Sequence, residues 1–159
     1  MVPFDIQTTE KLDAAIQQVE AAIELFYHLK RYAPAITLAA AAEGCLARKS
    51  TATASNAIAD PDAQPLIPEP LFELMKRGAK ERFGKNEGEA VERFNRLAYW
   101  LKHETLHLPT TMELTNYDAF TMIARALTKI EFTAPGSETS TITGFIDFSR
   151  QHYSAILGR

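Results

Sequence analysis

The stretch from Glu92 to His107 contains the only tryptophan of the chain and the residues best suited to chemistry. Within it, His103-Glu104-Thr105-Leu106-His107 has the form H-E-x-x-H. Two histidines four residues apart on one helix can bind Zn²⁺, and the glutamate between them can activate a bound water. Glu113 or Glu131 would supply the third ligand. Against this interpretation, Pro109 interrupts a helix that such enzymes continue past the second histidine.

A second pattern in the same stretch pairs Arg96 with His103, seven residues and two helical turns away. Helical periodicity points both side chains in one direction, nearly opposite an apolar stripe formed by Phe94, Leu97, Ala98 and Leu101. Arginine can hold a phosphate and histidine can move a proton near neutral pH, which are the groups that metal-free RNA cleavage needs. The helical rise separates them by about 10.5 Å, so they would meet only by leaning together or across a two-fold dimer.

Tyr99, Trp100 and Lys102 complete the outward face of this predicted fourth helix. The two rings suit either base stacking or the hydrophobic centre of a subunit interface. Arg96 and His103 also have a purely structural interpretation, in which they hydrogen-bond across a dimer interface or to Glu43, Asp118 or the chain ends.

Glu43 is the one acid in an alanine-rich, almost wholly apolar helix predicted from Pro34 to Lys49. Burying an unpaired carboxylate costs several kcal/mol, so this residue needs a cation or hydrogen-bond donors. One interpretation is a structural ion pair with an arginine or lysine of the fourth helix. The other is that Glu43 orients a functional arginine or histidine.

Apolar spacings of three and four residues predict five or six helices in all. The first begins at a cap formed by Thr8 or Thr9, and a third begins at Pro70. The run from Thr115 to Asp118 is a capping box that begins the fifth. A last helix is placed in a C-terminal helical extension over 134–159, with one side formed by Ile142, Phe145, Ile146, Ser149, Tyr153 and Ile156. Residues 50–68 are predicted to be a long flexible loop.

Composition limits the classes of protein that this chain can represent. Its 159 residues predict a single domain over 1–159, and a net charge of −3 excludes a broadly basic nucleic-acid surface, so any such contact would be a local patch. A single cysteine, Cys45, excludes an internal disulfide framework and suits a reducing compartment. No membrane or export pattern is visible, which predicts a cytoplasmic protein.

Three segments together carry a resemblance to a known family: 36–43 (ITLAAAAE), Asn95 with 99–103 (YWLKH), and 117–120 (YDAF) with Arg125-Ala126. Over most of residues 10–131 the chain resembles a bacterial branch of the HEPN superfamily of helical bundles. The resemblance implies an up-and-down bundle, usually dimeric. In many members it also implies a metal-independent ribonuclease whose arginine and histidine meet in a cleft between two subunits. Here that pair would be Arg96 and His103, with Leu97 departing from the polar residue that commonly follows the arginine.

The sequence therefore predicts a cytoplasmic, all-helical, HEPN-like homodimer with an RNA or nucleotide site on the outward face of the fourth helix. Arg96 and His103 are the predicted catalytic residues, no cofactor is expected, and the predicted binding or interface residues are Glu43, Tyr99, Trp100 and Lys102. The first alternative is a non-catalytic binding or regulatory bundle. The second is a zinc-dependent hydrolase that uses His103, His107 and Glu131.

Overall fold

The computed structural model describes residues 8–46, 87–103 and 109–156. These residues form five helices and no strand: α1 Lys11–Tyr27, α2 Tyr32–Cys45, α3 Glu87–Lys102, α4 Asn116–Thr133 and α5 Ser140–Ile156. The all-helical prediction is confirmed for this part of the chain, and none of its helices is long and apolar enough to cross a membrane. The predicted helix from Pro70, the loop over 50–68 and residues 104–108 lie outside the described residues.

Two central helices, α2 and α4, form most of the core. α2 buries short side chains that let its neighbours approach closely: Ala35, Ile36, Ala39, Ala40 and Ala42. α4 is buried almost continuously between Tyr117 and Ile130. α1 packs against both central helices, α3 packs against α2, and α5 packs against α1 and α4.

The ends of α1 and α2 differ from the predicted ones. The N-cap of α1 is Glu10, without a side-chain cap bond, so the predicted cap by Thr8 or Thr9 is wrong. α2 ends at Cys45 rather than at Lys49, because Leu46 adopts extended backbone with φ −90° and ψ 135°. This earlier end leaves Glu43 in the last turn of α2.

The start of α4 is the predicted capping box. The Asp118 backbone N–H donates to Thr115 Oγ1 at 3.3 Å, and the Thr115 N–H donates to Asp118 Oδ2 at 2.9 Å. Both bonds satisfy backbone donors that a helix start otherwise leaves without partners. The prediction of this boundary from four consecutive residues is confirmed.

α5 is a helix although Gly144 lies inside it. Its buried side includes Ile142, Phe145 and Ser149, three of the residues predicted to share one side. Phe145 packs against Phe26 and Phe120, with ring centroids 6.0 and 5.6 Å apart. Aromatic burial of this size outweighs the helix penalty of a single glycine, which is about 1 kcal/mol.

Candidate functional site

A cleft of about 470 Å³ lies where α2, α3 and α4 meet, and we call it the central cleft. Its apolar lining includes Ala40, Ala98 and Met122, one from each helix. Its polar lining consists of Glu43 on α2, Asn95, Tyr99 and Lys102 on α3, His103 just after α3, and Arg125 and Lys129 on α4. Four of the six residues predicted for the site therefore share one cleft.

Arg125 joins the three helices around the central cleft. Its Nη2 donates to Glu43 Oε1 at 2.9 Å, and its Nη1 donates to Asn95 Oδ1 at 3.1 Å. Lys129 Nζ donates to the backbone carbonyl of Glu43 at 2.6 Å, near the end of α2 where helical carbonyls lack partners. Glu43 thus has the cations that its position requires. They come from α4, so the predicted partner on the fourth predicted helix, the observed α3, is wrong.

Tyr99 and His103 place two rings at the end of α3. Their centroids lie 4.5 Å apart at an interplanar angle of 35°, because residues four apart on a helix are neighbours. The His103 N–H donates to the Tyr99 carbonyl at 3.0 Å, although the helix itself ends at Lys102. Tyr99 remains 50% exposed, and Lys102 and His103 are exposed beside it. This ring pair is open to a ligand.

Arg96 lines a different depression of about 350 Å³, which we call the flanking cleft. Its other lining residues include Glu92, Arg93 and Met112. Arg96 lies within α3, whereas His103 follows its last residue, seven positions later. Different neighbours flank the two residues: the segment with Met112 beside Arg96, and α2 with α4 beside His103. Within one chain, the predicted catalytic pair is therefore divided between two clefts.

Trp100 is held within its own chain. Its indole N–H donates to the Pro109 carbonyl at 2.6 Å, and the side chain is half-buried. It is not among the residues that line the central cleft. This hydrogen bond holds Pro109 against α3, which is a structural role for Trp100.

The zinc interpretation concerns residues that the structure describes only in part. α3 ends at Lys102, so His103 already follows the helix that would have to present both histidines. His107 lies outside the described residues. Glu131 lines a separate cavity of about 10 Å³ beside Glu138, rather than the central cleft. No three histidine, cysteine or acidic side chains are grouped for a metal within residues 8–46, 87–103 and 109–156.

Asn95, Arg125 and Lys129 are site residues that the sequence analysis did not assign a role. Arg125 and Lys129 stand four apart on a helix whose other residues from Tyr117 to Ile130 are mostly buried. Two cations at that spacing lie on one face and need a carboxylate or solvent, a signal that could have marked them as candidates for a polar site.

Comparisons of this chain with protein-family models, with curated proteins and with solved structures each found no match. The function is therefore inferred from the geometry of the central cleft, together with the resemblance of three segments of the chain to HEPN bundles.

Proposed function

We propose that the central cleft binds a nucleotide unit of single-stranded RNA, and that the chain is a HEPN-like RNA-binding domain. One observation carries the proposal. Three cationic side chains, Lys102, Arg125 and Lys129, line the same cleft as the exposed ring pair of Tyr99 and His103. Single-stranded RNA offers both a charged backbone and unstacked bases, so it uses both kinds of group.

The charge distribution supports a short RNA contact. The chain as a whole carries a net charge of −3, whereas the central cleft sets three cations against the single carboxylate of Glu43. A local positive region on an acidic protein can attract one or a few phosphates, without a basic surface that follows a long stretch of RNA. The cleft volume, about 470 Å³, lies within the range of roughly 300–1,000 Å³ that encloses small ligands. One nucleotide fits these dimensions better than a duplex does.

The ring pair supports base recognition. Tyr99 is half-exposed and already packed against His103 at a tilt of 35°, so a base can add to an oriented ring without reordering the helix. Stacking of a base on an aromatic side chain contributes about 1–3 kcal/mol and tolerates any base. Tyr99 and His103 at the end of α3 therefore contribute affinity for RNA without preferring one base over another.

Binding is proposed rather than cleavage, because Arg96 and His103 line separate clefts in one chain. Cleavage by that pair would need the Arg96 of a second chain to approach His103, as the resemblance to dimeric HEPN domains implies. Incubation of RNA with the protein in the presence of a metal chelator tests for this cleavage. Cleavage lost in His103→Ala would extend the proposal to a metal-independent ribonuclease.

Binding of a labelled single-stranded RNA, followed by fluorescence anisotropy, tests the proposal. Tyr99→Ala is expected to weaken binding by about 5- to 100-fold, from the loss of one stacking platform. Lys102→Ala is expected to reduce the slope of log affinity against log salt by about 0.7, the value for one phosphate contact on a single strand.

Lys11→Ala is the matched control, because Lys11 is an exposed lysine at the start of α1, outside the central cleft. It should leave both affinity and salt slope as in the unsubstituted protein. RNA binding that is unchanged in Tyr99→Ala and Lys102→Ala, or no RNA binding at all, would contradict the proposal.

A further inference from the structure

We infer that the central cleft selects guanine among the four bases, through Glu43 and Arg125; this inference rests on the proposed RNA binding. Glu43 Oε1 and Arg125 Nη2 are 2.9 Å apart inside the cleft. An acceptor and a donor therefore stand side by side on the wall that a base stacked against Tyr99 would face.

Glu43 retains capacity to accept hydrogen bonds. A carboxylate has about four lone-pair sites on its two oxygens. Arg125 uses one of them on Oε1, and no described residue donates to Oε2. The Glu43 side chain is 26% exposed, so a ligand in the cleft can reach it. The acceptor sites that no described residue uses lie within the central cleft rather than in the core.

The cations beside Glu43 retain donors. Arginine has five N–H donors in a planar fork, and two of those on Arg125 reach Glu43 and Asn95. Lysine has three, and Lys129 directs one to the Glu43 carbonyl. Both cations line the cleft, so the carboxylate is flanked by groups that can still donate.

Guanine is the base whose Watson–Crick edge matches this order of groups. Its N1–H and N2–H₂ are adjacent donors that one carboxylate can accept, and its O6 is an acceptor for a neighbouring cation. Adenine and cytosine each offer a single amino group on that edge, next to ring acceptors that a carboxylate repels. Uracil offers one N–H between two carbonyl oxygens.

Selectivity of this kind is assigned to Glu43 and Arg125, because ring stacking and phosphate contacts do not distinguish bases. Stacking on Tyr99 and His103 tolerates every base, and the phosphate contact of Lys102 is the same for all nucleotides. Residues of α3 thus contribute affinity for any nucleotide, and the Glu43–Arg125 pair between α2 and α4 selects the base.

Isothermal titration of the full chain with GMP, AMP, CMP and UMP tests the inference. GMP is expected to bind at least about tenfold more tightly than the other three, the lower part of what one good bidentate pair contributes. In Glu43→Gln, GMP should lose about tenfold while the other three nucleotides do not weaken, because the lost charge repelled their phosphates. Glu24→Gln makes the same charge change on an exposed side chain of α1 and should alter none of the four.

Equal affinity for all four nucleotides in the unsubstituted protein would overturn the guanine preference and leave the proposed RNA binding intact. Equal weakening of all four in Glu43→Gln would assign Glu43 a structural role and also overturn it. No binding of any nucleotide would overturn both proposals. The comparison in the unsubstituted protein decides the matter even where Glu43→Gln fails to fold.

Discussion

Two arginine–carboxylate pairs join helices within the described part of the chain, and they differ in exposure and geometry. Arg93 on α3 contacts Asp118 on α4 through Nε–Oδ1 at 3.1 Å and Nη2–Oδ2 at 3.2 Å, and the Asp118 side chain is fully buried. Arg125 on α4 contacts Glu43 on α2 through one bond of 2.9 Å, with the two side chains 15% and 26% exposed. The first pair is closed to solvent at its carboxylate, and the second opens into the central cleft.

The carboxylate of the closed pair has no capacity left for a ligand. Besides Arg93, Asp118 Oδ2 accepts from the Thr115 backbone N–H and from its hydroxyl, each at 2.9 Å. The Asp118 carboxylate therefore caps α4 and fastens α3 to it at the same time. The open pair uses one carboxylate oxygen and shares Arg125 with Asn95. Asp118 and Arg93 therefore serve stability, whereas Glu43 and Arg125 lie where we propose that RNA is recognised.

The largest expected effect is on stability at the closed pair. Asp118→Ala should lower the free energy of unfolding by about 3 kcal/mol, because it removes one partner of a buried pair and the capping box. Urea denaturation measures this change, with the m-value expected to stay constant. Asp13→Ala, an exposed acid in the first turn of α1, is the control and should cost about 0.5 kcal/mol. A loss below about 1 kcal/mol for Asp118→Ala would remove the distinction between the pairs.

A smaller loss of stability is expected at the open pair. Glu43→Ala should cost about 1–2 kcal/mol, because solvent already screens part of the Glu43–Arg125 attraction. Its control is Glu24→Ala, which breaks an exposed 4.0 Å contact with His28 and should cost less than about 0.5 kcal/mol. Thermal or urea unfolding of both variants supplies the comparison. A cost for Glu43→Ala equal to that for Asp118→Ala would show that both pairs are structural.

The smallest effect on stability is expected at the mouth of the cleft. Lys102→Ala should change the free energy of unfolding by no more than about 0.5 kcal/mol, as is usual for an exposed side chain. The same sample should bind RNA with the reduced salt slope described above. Unfolding curves and anisotropy titrations on one preparation separate the two properties. If Lys102→Ala changes the free energy of unfolding and leaves RNA binding unchanged, Lys102 belongs to the fold and not to the site.

Local signals in the sequence predicted the parts of the fold that depend on neighbouring residues. The Thr115–Asp118 capping box is complete within four residues, and the buried Phe94 and Leu97 followed from helical spacing. The buried alanines of α2 likewise followed from the lack of a polar side on that helix. Each of these features depends on helical periodicity or on a cap, which can be recognised from residues that are close together in the sequence.

The residues that meet in the central cleft could not be predicted in the same way, because they come together through contacts between distant parts of the sequence. Glu43 and Arg125 are 82 residues apart, so the need for a cation was readable from α2 and its source was not. Arg96 and His103 share a direction on a helical wheel, but a wheel leaves out the neighbours at each height along the axis. Those neighbours divide the two residues between separate clefts. The HEPN-like dimer and its RNA chemistry stay predictions.

Photo-crosslinking tests the central claim, that RNA is bound in the cleft between α2, α3 and α4, most directly. A single-stranded RNA carrying photoreactive thio-bases would be irradiated with the full chain, and the adducts located by mass spectrometry of peptides. Adducts on Tyr99 or His103, lost in competition with unlabelled RNA, are the predicted result. Competable adducts found only on residues outside the central cleft would contradict the account.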